Sequence, residues 1–195
     1  MKITKAKLKQ IIKEELDAQK QKLMRLFKEP DHVNQGIELW DTIYPGVPLK
    51  AELKGMLRNK NTVVDAIEPW HNLFPREQLP LEGVDLQGAN LQEANLRWAK
   101  LYGANLQGAN LQLAILQSAN LYQADLQSAN LRAANLYGAN LDRANLYGAT
   151  LEGAELYQAT LQGAILQSAN LYQADLQEAK LQEANLYGAE LARAN

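Results

Sequence analysis

Residues 119–150 read ANLYQADLQSANLRAANLYGANLDRANLYGAT, six consecutive units in which leucine returns at every fifth position. The beat extends in both directions without a gap, from Leu81 to Leu191. Two residues before each of these leucines stands alanine, from Ala89 to Ala189, with Leu79 and Val84 at the two earliest positions. The residue just before the leucine is usually Asn, as at Asn90, Asn95, Asn105 and Asn110, so the unit is A-N-L-x-x. A period of five matches neither the 3.6 of a helix nor the 2.0 of a strand. Only a bend in every unit restores the inward direction, and the chain must therefore coil. One small and one large apolar residue per unit suit a narrow tube, with neighbouring coils pairing their backbones at about 4.8 Å.

The A-(N/D)-L-x-x pattern resembles the pentapeptide-repeat family over roughly residues 79–195. The resemblance implies a β-solenoid: a right-handed quadrilateral parallel β-helix, four units per coil and about six coils, with Leu and the preceding Ala inside. Residues 1–75 are then expected to form a small all-α domain of about four helices. Burial yields about 1.5–3 kcal/mol per leucine against about 1–2 kcal/mol of backbone entropy per ordered residue. Leucine alone does not hold such a rod, so coil-to-coil hydrogen bonds must carry much of its stability.

The charge divides with the pattern: residues 1–80 sum to +3 and residues 81–195 to −5. Neither excess suggests a strong phosphate-binding field, and direct nucleic-acid binding is not expected. Cysteine is absent, which excludes disulfides and thiolate chemistry. No apolar stretch reaches the length of a membrane span, and a cytoplasmic location is expected.

If four units make a coil, side chains twenty residues apart share a face. The four faces then carry net charges of 0, −2, −1 and −2. Some members of the family, the quinolone-resistance proteins, are understood as DNA mimics that bind type II topoisomerases such as gyrase through an acidic face. No face here is strongly acidic, so a gyrase-directed mimic is the alternative and not the leading reading. Tyr102 with Tyr122, and Tyr137 with Tyr157, fall twenty residues apart and form two aromatic columns. Together with Trp98 they are the candidate partner-binding surface, since aromatic side chains offer rigid area with a polar tip. The commoner reading of such columns is as ladders that stabilise adjacent coils. Two near-identical segments, LQLAILQSANLYQAD around Ile115 and LQGAILQSANLYQAD around Ile165, lie two and a half coils apart and face opposite ways.

In the first eighty residues, Leu8, Ile11, Ile12, Leu16, Leu23 and Phe27 predict an amphipathic helix over 4–28. Pro30-Asp31 predicts a break and N-cap for a second helix ended by Tyr44-Pro45-Gly46. A third is expected around Lys50 to Arg58, and a fourth from Asn61-Thr62 stopped by Glu68-Pro69. Trp70, Leu73 and Phe74 are expected to plug the first coil.

Reactive groups are sparse. His32 and His71 lie outside the repeats, and Ser118, Ser128 and Ser168 all occupy outward repeat positions with no histidine near them in sequence. No catalytic residue, cofactor or metal site is expected, and the chain reads as a non-catalytic interaction or scaffold protein with an unidentified protein partner. Self-association through the C-terminal coil or the N-terminal helices is a further expectation. For stability, Leu136→Lys in a central coil is expected to unfold the rod at much lower denaturant than Leu191→Lys, a difference that urea titration of the two variants measures.

Overall fold

In the computed structural model, residues 14, 18–19, 21–44 and 46–195 are described. The helix expected over 4–28 therefore falls mostly outside the described residues, of which 21–28 are helical (α1). A 3-10 turn at Pro30–His32 leads into α2 (Val33–Ile43), followed by α3 (Leu49–Leu57) and α4 (Val63–Leu73).

Two sequence expectations change. Asp31 does not cap α2, because Pro30 starts a 3-10 turn that occupies Asp31 and leaves at the N-cap His32, whose side chain makes no capping bond to the helix. Pro69 does not end α4, which runs through it to Leu73. Proline inside a helix loses one hydrogen bond and crowds the carbonyl four residues earlier. Packing outweighs that cost, since Val63, Ala66, Ile67, Pro69 and Trp70 are all buried on one face of α4. Trp70 to Leu73 thus belong to the fourth helix itself and not to a segment that follows it.

The helical core joins Leu23, Phe27, Trp40, Leu53, Leu57, Val63, Ile67 and Trp70, each at most 2% exposed. Trp40 donates its indole N–H to the Val47 carbonyl at 2.8 Å. Gly36 lies against Phe27 so closely that a Cβ there would sit 2.6 Å from the ring, which explains a glycine in mid-helix.

From Pro80 onward every fifth residue forms a parallel bridge to the residue twenty further on, from Pro80 with Lys100 to Asn170 with Glu190. Twenty residues, or four units, therefore make one coil. Each unit turns a corner through a bond from the alanine N–H to the leucine carbonyl three residues back, as Ala129 to Leu126 at 3.0 Å. Three further bonds tie coil to coil. The leucine N–H donates to the carbonyl nineteen residues ahead, as Leu106 to Asp125 (2.7 Å), and the second variable residue does likewise, as Gly108 to Gln127 (2.8 Å). The residue before leucine donates backward, as Asn130 to Ala109 (2.9 Å).

The Asn preference follows from the corner. Asn90, Asn110, Asn130, Asn145 and others accept the N–H two residues ahead on their side-chain oxygen, an Asx turn that fixes the bend. Asp85, Asp125 and Asp175 do the same, which accounts for the Asn/Asp alternation.

The repeat leucines and alanines are fully buried through the central coils, as at Leu136. The two ends differ. Leu81, Leu86, Leu91 and Leu96 of the first coil are at 0% exposure, whereas Leu181 and Leu186 are half-buried and Leu191 is 43% exposed. His71 on α4 meets the Asn95 carbonyl at 2.9 Å, and Lys60 donates to the Gln87 carbonyl at 3.5 Å. Helices and first coil thus share both a hydrophobic cluster and polar contacts.

The second variable residue of each unit has a left-handed backbone, whether glycine, as Gly153 (φ 64°), or not, as Ala133 (φ 51°). A side chain there costs about 1–2 kcal/mol, partly offset in the unfolded chain by glycine's greater freedom, about 0.5–1 kcal/mol. Ala133→Gly is accordingly expected to stabilise the rod by about 0.5 kcal/mol, and Gly153→Ala to destabilise it by a similar amount. Denaturant midpoints of the two variants against the parent chain test both signs.

Candidate functional site

The two aromatic columns are not equivalent. Tyr137 and Tyr157 stack, with ring centroids 5.6 Å apart and planes 20° from parallel. Tyr102 is 50% exposed and has no ring or hydroxyl partner among the described residues, so Tyr102 and Tyr122 share a face without forming a stacked pair. Trp98 is 57% exposed with a left-handed backbone (φ 55°). It lies beside the end of α4, where His71, Pro75, Arg76, Arg97 and Trp98 line a groove of about 300 Å³. The structure therefore does not gather the five candidate residues into one patch. Of the residues expected at the first coil, Trp70 is 1% exposed, while Leu73 and Phe74 are half-buried and pack on the shared core. The Trp70 and Phe74 rings are 4.8 Å apart.

What separates the columns is a diagonal that the twenty-residue register hides. A tyrosine at the first variable position reaches the second variable residue of the next coil, twenty-one residues ahead. The Tyr137 hydroxyl donates to Gln158 Oε1 at 3.0 Å, and that of Tyr157 to Glu178 Oε1 at 2.7 Å. Arg143 donates to the Tyr122 hydroxyl at 3.4 Å, and the Arg193 guanidinium lies 5.8 Å from the centre of the Tyr172 ring. Gln158 closes the cluster by donating to Glu178 Oε2 at 2.8 Å. Glu178 thus fixes both the tyrosine and the glutamine below it.

Other columns are straight. Gln87, Gln107 and Gln127 form an amide ladder at 2.8 and 3.0 Å, Arg97 bonds Gln117, and Arg132 pairs with Glu152. Acidic residues are interleaved with amides, Asn105 donating to Asp85 and Asn145 to Asp125. No unbroken acidic stripe results on that face.

The sequence reading does not single out three rod tyrosines: Tyr172, whose ring faces Arg193, and Tyr147 and Tyr187. Tyr147 (42% exposed) and Tyr187 (77%) share a column on the face that also exposes Ile165 (41%). Their forty-residue spacing was visible, but Gln167 interrupts the column and broke the twenty-residue pattern.

The hydrogen bonds from Gln158 and then Tyr157 hold the Glu178 carboxylate below its ordinary range, with burial opposing them. The bond to Glu178 is the largest cause of the upward shift of the Tyr157 hydroxyl. Among the described residues no cluster of three or more His, Asp and Glu side chains could hold a metal ion, and no helix is long and apolar enough to cross a membrane.

Residues 81–117, 114–153 and 154–193 match the family model of pentapeptide repeats (8 copies). Among solved structures, the chain is 42% identical to HetL, a pentapeptide repeat protein involved in heterocyst differentiation regulation from the cyanobacterium Nostoc sp. strain PCC 7120, with 61% of this chain and 60% of that chain covered and a TM-score of 0.37. The chain thus spans 60% of the length of that relative. It is 30% identical to a pentapeptide repeat protein from the Arabidopsis thaliana thylakoid lumen, covering 54% of this chain and 70% of that one (TM-score 0.43). It is 20% identical to QnrB1, a plasmid-mediated fluoroquinolone resistance protein, covering 60% and 79% (TM-score 0.30). No curated protein matches the chain.

A depressed carboxylate contributes stability above its unfolded pKa and loses it as pH falls through the folded value. The thermal midpoint of the parent chain should therefore exceed that of Glu178→Gln at neutral pH, the gap closing as pH drops through the acidic range; a gap unchanged with pH in a melting series would contradict this. The chain belongs to the pentapeptide-repeat family.

Proposed function

We propose that this chain is a non-catalytic interaction protein whose rod displays a fixed grid of side chains to a protein partner. On this reading the coils form a right-handed, four-cornered β-helix over 79–195, and the helical region over 1–75 closes its first coil through Trp70, Leu73 and Phe74. The observation that carries the proposal is the locked Tyr137–Tyr157 pair, in which both hydroxyls are held by the next coil. Holding an aromatic side chain in place before binding removes the ordering cost that a partner would otherwise impose, about 0.5–1.5 kcal/mol per side chain. Rigid tyrosines are also the residue type that anchors interfaces.

A gyrase-directed mimic requires a continuous run of negative charge. The Asn105–Asp85 and Asn145–Asp125 bonds interleave carboxylates with neutral amides, which favours the protein-display reading. We place the protein in the cytoplasm. The half-exposed leucines of 176–195 also suit self-association through the C-terminal coil, and a solution mass of one chain at every concentration would refute that part.

The test compares the full-length chain with its Tyr137→Ala/Tyr157→Ala double variant as bait in quantitative crosslinking capture. The double variant should lose at least one specific partner by about tenfold or more while keeping its melting temperature within a few degrees. Identical capture profiles would remove the tyrosine surface from the proposal. An inhibition of gyrase supercoiling by the purified chain would replace the leading reading with the mimic.

A further inference from the structure

Where the helices meet the rod, a cavity of about 680 Å³ opens between α3, the linker after α4, and the first and second coils. Four cationic side chains line it: Lys54 from α3, Arg58 from its C-cap, Arg76 from the linker and Lys100 from the rod. Two carboxylates share the lining, and each is already engaged. Glu77 is bound by Lys50 at 2.5 Å, and Glu82 lies 3.8 Å from Lys100. Among the described residues, Lys54, Arg58 and Arg76 have no carboxylate, hydrogen-bond or ring partner, so three uncommitted cations surround one cavity. Trp70 also lines it, and its buried indole N–H has no acceptor among the described residues.

This arrangement is costly for stability alone. Lys54 in the last turn of α3 and Arg58 at its C-cap stand four apart, where like charges repel. The C-terminal end of α3 offers a partial offset through its dipole, but that does not explain why Arg76 and Lys100 converge from two other segments. The rest of the rod follows the opposite habit, setting its arginines beside acceptors, as Arg132 with Glu152 and Arg97 with Gln117. A bound anion would supply the missing partner.

We propose that this junction is a binding site for a small phosphorylated molecule bearing at least two negative charges. The cavity volume falls within the range of about 300–1,000 Å³ typical of small-molecule sites. A phosphoryl group presents three oxygens and can meet three cations arriving from separate directions, whereas a carboxylate presents two. Arg58 and Arg76 supply forked donors, and Lys54 adds a mobile point charge. Because the walls come from both the helices and the rod, an occupant would bridge them and raise the stability of the junction.

The experiment is isothermal titration calorimetry and thermal melting of the full-length chain at fixed ionic strength, with inorganic phosphate, pyrophosphate and ATP as probes and citrate as the carboxylate control. Saturable binding is expected for pyrophosphate or ATP, with a raised melting temperature. Binding of inorganic phosphate as tight as that of either would make the free ion, and not a larger phosphorylated molecule, the occupant. Arg58→Gln/Arg76→Gln should weaken binding by about tenfold or more, while Arg143→Gln, on the rod, should leave it unchanged. Both junction arginines are exposed and unpaired among the described residues, so their replacement leaves the fold intact. Absence of saturable binding by all three phosphates, citrate binding as tight as pyrophosphate, or undiminished binding by the double variant would each overturn the proposal.

Discussion

Everything in the rod depends on one hydrogen bond repeated every five residues: the leucine carbonyl accepts the N–H of the alanine three positions on. It closes a corner whose second central residue must take the left-handed backbone. Once the corner is fixed, leucine and alanine both point inward, and the chain returns beneath itself after twenty residues. The three coil-to-coil bonds per unit then satisfy backbone groups that so tightly bent a chain could not pair locally. The strain at each corner is tolerated because the neighbouring coils over-determine it. That is why residues as large as Trp98 and Leu113 can occupy positions where glycine is the easier choice.

A frame so regular turns the surface into a lattice with two directions. Along the columns, amides and opposite charges twenty residues apart bond each other. Along the diagonals, a tyrosine reaches the residue twenty-one ahead, because its longer side chain leans past its direct neighbour onto the next corner. The diagonal decides which aromatic residues are held. Tyr137 and Tyr157 have Gln158 and Glu178 in the receiving positions, while Tyr102 has Gln123, to which it makes no bond.

The rod was largely legible from its repeats, since period, inward positions and the Asn role all follow from the unit itself. Coil size was a different matter: five-residue spacing dictates a bend per unit but not how many bends close a turn, and the value of four came from the resemblance. The columns followed from it, whereas the diagonals depend on side-chain length and lean, which spacing does not contain. Pro69 misled because the local rule against proline in a helix is weaker than the burial of Ala66, Ile67 and Trp70 around it. Tyr147 and Tyr187 were missed because a single glutamine interrupts their column.

The charge pattern separates what the rod needs from what it can spare. Within the repeats, the cations Arg97 and Arg132 and the carboxylates Asp85, Asp125 and Glu178 each have a partner in an adjacent coil, so those charges serve the stacking itself. At the junction the pattern changes: Lys54, Arg58 and Arg76 stand together without partners among the described residues, beside a buried, unsatisfied indole. The junction thus holds paired charges, Lys50 with Glu77 and Lys100 with Glu82, beside three cations that have none. Within the repeats, specific chemistry comes from which side chains fill the lattice, as at Tyr137 and Tyr157; where the helices before Leu79 interrupt the repetition, it comes from side chains the lattice does not pair.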